Sequence, residues 1–69
     1  MQIIVNGKAV EAADGITVAQ LLVEQKVQTP EYVSVELNGE ILDRQDFATT
    51  VVAAGDQIEF LYFMGGGAR

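Results

Sequence analysis

Asp14-Gly15-Ile16-Thr17-Val18-Ala19-Gln20-Leu21-Leu22 carries the most fully marked helix start in the chain. Thr17 can cap free backbone N–H groups, Gln20 completes a capping box three residues on, and Ile16 and Leu21 occupy the two positions of a hydrophobic staple. Val18, Leu21 and Leu22 then recur at i, i+3 and i+4, a narrow apolar face that extends to about Val27 before Thr29-Pro30 closes the segment. The pattern predicts one amphipathic helix.

Strand-like runs lie on both sides of it. Upstream, Gln2 to Val5 and Lys8 to Ala12 are joined by Asn6-Gly7, the dipeptide best suited to the positive φ angles of a two-residue type I′ hairpin. Downstream, Tyr32 to Leu37 alternates, with Val33, Val35 and Leu37 on one face, and Asn38-Gly39 turns the chain into Glu40-Ile41-Leu42. Asp46 to Val52 has no clean period and reads as a short helical turn and loop. Ala54-Gly55-Asp56 then leads into a final strand, Gln57 to Phe63. The expected class is α+β, in the order ββαββ, with the helix packed across one face of a mixed sheet through a right-handed crossover.

With 69 residues the chain makes one domain, read as 1–64, followed by a flexible glycine-rich tail, 65–69. A chain this short buries only about 60% of the surface it exposes unfolded, so the core is near the practical minimum. Cysteine and histidine are both absent, which excludes disulfides, Cys/His metal sites, thiol nucleophiles and the usual general base. Ten acidic residues against Lys8, Lys26, Arg44 and Arg69 give a net charge of −6, which disfavours nucleic acid and anionic membranes and favours a basic protein partner. No apolar stretch approaches the roughly 20 residues of a membrane span, and Met1-Gln2-Ile3 lacks the basic start of a signal peptide. The expected setting is soluble and cytoplasmic.

An internal active site is not supported. Thr17, Thr29, Ser34, Thr49 and Thr50 have no histidine to activate them, and the carboxylates are scattered without calcium-loop spacing, as on a solvated acidic face. Asp14 and Asp56 adjoin glycines and belong to turns. Gly65-Gly66-Gly67 lacks the Gly-Lys-Ser/Thr and helix of a phosphate-binding loop; by itself it reads as a disordered end or a remnant of expression. If Ile58 and Phe60 face the helix, alternation sends Glu59, Leu61 and Phe63 to the opposite face together with Ile4. That arrangement gives an outward apolar patch leading into the glycines, a candidate partner-docking surface. A bulge in the last strand would instead return these side chains to the core.

The start with Asn6-Gly7, Asp14-Gly15-Ile16-Thr17-Val18 before Leu21-Leu22, the strand end Leu37-Asn38-Gly39, and Gly55-Asp56-Gln57-Ile58 before the glycines together resemble the ThiS family of sulfur carriers, within the ThiS/MoaD superfamily. The resemblance covers essentially the whole chain. It implies a ubiquitin-like β-grasp fold and a protein that is not an enzyme but a co-substrate of partner enzymes. The family's terminal Gly-Gly falls at Gly66-Gly67, with Gly65 before it, while Ala68-Arg69 extends past that end as a precursor segment or an expression artefact.

By the same resemblance, a ThiF-like adenylyltransferase using ATP would adenylate Gly67 once Ala68 and Arg69 had been removed, by a processing peptidase if they are native. Sulfur transfer would then give a glycyl thiocarboxylate for a ThiG-like thiazole synthase. No bound cofactor is expected. Gly66 would give the tail access to a narrow slot, and the stretch from Met64 to Gly67 reaches on the order of 10 Å beyond the sheet. Ile4, Leu61, Phe63 and Gly65 would form the partner-binding set. A related carrier for molybdopterin, as in the MoaD branch, or for cysteine synthesis is the alternative, as is a non-catalytic ubiquitin-like binding module.

Overall fold

The computed structural model describes residues 1–27 and 30–62, the side chains of Pro30 and Tyr62 excepted. Strands β1 (Gln2–Val5) and β2 (Lys8–Glu11) precede helix α1 (Val18–Glu24). A 3-10 turn at Pro30–Tyr32 leads into β3 (Val33–Leu37) and β4 (Glu40–Leu42), and a second one at Arg44–Asp46 precedes β5 (Gln57–Tyr62). The order is therefore ββαβββ: each of the five strand-like runs read from the sequence forms a strand, one more than the order ββαββ counts.

The five strands form one mixed sheet in the order β2-β1-β5-β3-β4. β5 runs parallel to β1 and antiparallel to β3, which places the last strand at the centre. Both hairpins turn as their dipeptides require. Asn6 and Gly7 have φ of 51° and 83°, and Asn38 and Gly39 have 53° and 88°, angles that Asn and Gly tolerate with least strain.

α1 covers one face of the sheet. Ile3, Val18, Leu21, Val33, Val35, Val52 and Ile58 are fully buried, and Val5, Ala12, Ile16, Leu22, Phe47 and Phe60 complete the core among the described residues. Each such aliphatic side chain contributes about 1.5–3 kcal/mol through burial, so a domain of this size depends on nearly all of them. Strand alternation produces this sorting, since Ile58 and Phe60 share the inner face with Val33 and Val35 across the β3–β5 register.

Both halves of the capping box form: Gln20 N–H donates to Thr17 Oγ1 at 3.2 Å, and Thr17 N–H donates to Gln20 Oε1 at 3.0 Å. The next free donors are satisfied by the loop before β5, with Val18 N–H on Thr50 O and Ala19 N–H on Phe47 O. At the other end the helix stops at Glu24, short of Val27. Lys26 takes φ 58°, Lys26 N–H donates to Val23 O, and Val27 N–H donates to Leu22 O. This is a Schellman closure with lysine at the left-handed position usually held by glycine. Tyr32 likewise falls in the 3-10 turn rather than in β3.

The two helix ends give opposite stability changes. Thr17→Ala removes a cap and should cost about 1 kcal/mol. Lys26→Gly removes left-handed strain of about 1 kcal/mol, partly offset by the greater freedom of glycine in the unfolded chain, so it should be neutral to mildly stabilising. Urea unfolding of the two variants beside the parent chain measures both.

Candidate functional site

β5 lies in the middle of the sheet, between the two hairpins, and ends at Tyr62. Side chains from both turns hold this strand. Asn38 Oδ1 accepts from Gln57 N–H at 2.9 Å while Asn38 Nδ2 donates to Asp56 Oδ1 at 3.1 Å. Asp56 Oδ2 accepts from Ala53 N–H at 2.8 Å, closing the turn before β5. Asn6 Oδ1 accepts from Phe60 N–H at 2.9 Å, where the backbone of β1 has already turned away. Near the strand's far end, Arg44 donates from Nη2 to Val33 O at 2.6 Å and lies over the Phe47 ring, 5.3 Å from its centroid. Since Val33 is the register partner of Tyr62, Arg44 steadies the backbone beside the exit of β5.

The face away from α1 is assembled by register. Ile4 lies opposite Gln57 and Ala9, Leu61 opposite Ser34, Glu59 opposite Glu36, and Glu36 opposite Ile41. Directly opposed residues share a face, so Ile4, Leu61 and Ile41 form a broken apolar surface interspersed with Glu36 and Glu59. Ile4 and Leu61 are half-buried and Ile41 is 60% exposed. The outward phase expected for Ile4, Glu59 and Leu61 is thus what the register produces, and no bulge interrupts β5 through Tyr62. Phe63, Gly65, Gly66 and Gly67 lie outside the described residues.

Ile41 was not among the residues singled out by sequence. Its alternation with Glu40 and Leu42 carries the signal, but a three-residue strand is too short for its phase to be read without its partner. The side-chain roles of Asn6, Asn38 and Arg44 were likewise not singled out. Turn chemistry accounts for two asparagines without requiring that their amides reach another strand.

The electrostatics of this face are acidic. Glu36 and Glu59 stand directly across from each other, a like-charge juxtaposition that disfavours the isolated domain and favours an approaching cation. Among the described residues no group of three or more His, Cys, Asp or Glu is placed to hold a metal ion. Thr17 is engaged as the helix cap, Ser34 lies in β3, and Thr49 and Thr50 lie side by side in the loop before β5, while Thr29 lies outside the described residues. Two shallow grooves of about 570 and 350 Å³ flank α1, on the side away from Ile4 and Leu61. Among the described residues no helix is long and apolar enough to cross a membrane.

The chain matches the sequence model of the ThiS family over residues 3–67. It is 37% identical over 67 residues to the sulfur carrier protein ThiS of Escherichia coli, covering 97% of this chain and 100% of that one. A thiazole synthase of Paramagnetospirillum magneticum is 35% identical over 68 residues, which cover 99% of this chain but 21% of that protein, so the chain spans about a fifth of its length. The crystal structure of a thiamine biosynthesis protein (ThiS) from Geobacter metallireducens superposes with a TM-score of 0.85 at 54% identity, covering 97% of this chain and 100% of that one. The mixed five-stranded sheet with one helix is therefore the ubiquitin-like β-grasp.

Neighbouring residues of β5 should respond differently to truncation. Phe60→Ala empties a core position and should cost about 3–5 kcal/mol, whereas Leu61→Ala on the outward face should cost under about 1.5 kcal/mol. Thermal unfolding of the two variants compares them.

Proposed function

Since the chain belongs to the ThiS family, we propose that it is a sulfur carrier of thiamine biosynthesis that holds sulfur as a glycyl thiocarboxylate at Gly67. The observation that carries this reading is the extent of the family match, which runs from Ile3 to Gly67 and leaves Ala68 and Arg69 beyond it. The position of β5 supports it, because a central strand braced on both edges gives the C-terminal segment a rigid base.

A free α-carboxylate has a pKa of about 3.3–3.7 and at neutral pH is an anion that sulfur nucleophiles do not attack. Activation removes that barrier. A ThiF-like adenylyltransferase would join the Gly67 carboxylate to the α-phosphate of ATP, releasing pyrophosphate. A sulfide equivalent would then add to the acyl carbon, and the C–O bond to AMP would break to leave the thiocarboxylate. This chain supplies the carboxyl group and its presentation, and the partner supplies ATP and the catalytic groups, so the chain is a co-substrate rather than an enzyme. Gly65 and Gly66, without Cβ, let an extended segment enter a narrow cleft. Ile4, Leu61 and Phe63 would dock the domain while Glu36 and Glu59 orient it toward a basic surface.

A ThiG-like thiazole synthase is the expected acceptor. A relative bearing that name contains a segment similar to nearly all of this chain, which favours the thiazole branch over a carrier for molybdopterin or cysteine synthesis. Cytoplasm, where ATP and biosynthetic enzymes meet, is the matching location.

In the chain as written, Gly67 is joined to Ala68 by a resonance-stabilised amide and has no free carboxylate to adenylate. Removal of Ala68-Arg69, by a peptidase if the residues are native, generates it. A chain ending at Gly67 should gain the mass of oxygen replaced by sulfur when incubated with ATP, a sulfide source and the adenylyltransferase. The 69-residue chain should stay unmodified until trimmed. Intact-mass analysis with fragmentation separates the outcomes, and sulfur on a chain that still carries Ala68 and Arg69 would refute the assignment. Absence of any adenylate or thiocarboxylate on the Gly67-ended chain, under conditions that load a known carrier, would favour a non-catalytic ubiquitin-like binding module.

A further inference from the structure

The backbone of β5 has an edge that the fold leaves open. In β5 the odd-numbered residues direct their N–H and C=O groups toward β3, as Asn38 N–H on Gln57 O shows, and the even-numbered residues direct theirs toward β1. The β1 side is filled at first. Ile4 N–H donates to Asp56 O and Asn6 N–H donates to Ile58 O, each at 2.9 Å. After Val5 the first hairpin turns away, and the next donor, Phe60 N–H, is met by the Asn6 side chain. Phe60 C=O and Tyr62 N–H come next on that side, and neither has a partner among the described residues. Among the described residues the sheet therefore leaves an open lane beside the last residues of β5.

We propose that this lane receives an extended, basic segment of the activating enzyme, which pairs as an added strand with Phe60 C=O and Tyr62 N–H. The identity of the partner rests on the sulfur-carrier reading; the vacancy rests on the register alone. Strand addition at an open edge is a common mode of peptide recognition, and the paired backbone groups give it direction. Charge selects the occupant. Glu59 immediately precedes Phe60 in β5, Glu36 lies directly across from it, and the whole chain carries a net charge of −6. A second copy approaching by the same edge would bring a second Glu59 and a second net charge of −6, whereas a strand with lysine or arginine on its outward face would neutralise the pair. The chain's own Gly65-Gly66-Gly67 is a poor occupant, since glycine forms strands weakly and brings no side chain to pack.

The test replaces the Leu61–Tyr62 amide by an ester in a synthetic chain ending at Gly67, which deletes the Tyr62 N–H and keeps the side chain. Tyr62→Pro, beside Tyr62→Ala, does the same by mutation. Binding to the purified ThiF-like adenylyltransferase of the same organism is measured by titration calorimetry, together with the unfolding midpoint. The ester chain should bind about tenfold more weakly, as expected when one buried backbone hydrogen bond is lost. It should unfold at a slightly lower midpoint because the ester weakens the Leu61 carbonyl that accepts from β3, so binding is compared well below both midpoints. Tyr62→Pro should bind more weakly than Tyr62→Ala. Glu59→Gln should lower affinity severalfold and flatten its salt dependence while leaving the domain at least as stable, because it also relieves the opposition to Glu36. An ester chain that binds as tightly as the amide chain overturns the proposal. That result leaves the sulfur-carrier reading standing if the Gly67-ended amide chain is still adenylated; loss of adenylation in that chain would count against the reading itself.

Discussion

The pairing of β5 with both hairpins holds this domain together. β1 and β2 form one local hairpin and β3 and β4 another, and only β5 bonds to a strand of each. Its parallel contact with β1 is short, two register pairs, and is extended by the Asn6 side chain on Phe60 N–H. At the opposite edge the Asn38 amide holds the first residue of the strand. The residues that allow the two tight turns thus also tie those turns to the central strand. Long-range closure of this kind joins the two ends of the chain in sequence, so the core under α1 completes only when the last strand arrives.

The same strand separates stability from recognition by alternation. Ile58 and Phe60 point into the core, and Glu59 and Leu61 point away from it, with no intervening bulge. Changes on the outward face can therefore adjust partner choice at little cost to a small core. The acidic pair on that face is unfavourable in the isolated domain and would favour the cationic partner surface proposed above.

Much of this was legible in the sequence because local signals agreed with the tertiary structure. The Thr17–Gln20 capping box, the two Asn-Gly turns and the phase of Val33, Val35, Ile58 and Phe60 all appear as read, and each depends on residues within a few positions of one another. What was not legible depends on distant partners. The helix end at Lys26 was hidden because lysine is an improbable left-handed residue, held there by the Val27 N–H bond to Leu22 O and the packing of Val27 against the core. Ile41 became a surface residue of interest only through its register with Glu36. The vacant lane beside Tyr62 follows from where β1 stops relative to β5, and no local pattern encodes that. Of the proposed site, Ile4 and Leu61 fall on the outward face, while Gly65 to Gly67 were located by family resemblance, glycine itself carrying no periodic signal.

The central claim is that sulfur leaves this chain from Gly67 for a thiazole ring. A chain ending at Gly67, loaded with isotopically labelled sulfur as its thiocarboxylate, would be incubated with a ThiG-like thiazole synthase and the synthase's other substrates, and both chain and product weighed. The account predicts that the label appears in the thiazole while the chain returns to the mass of its free carboxylate. A chain that keeps its sulfur while thiazole forms without label would contradict it.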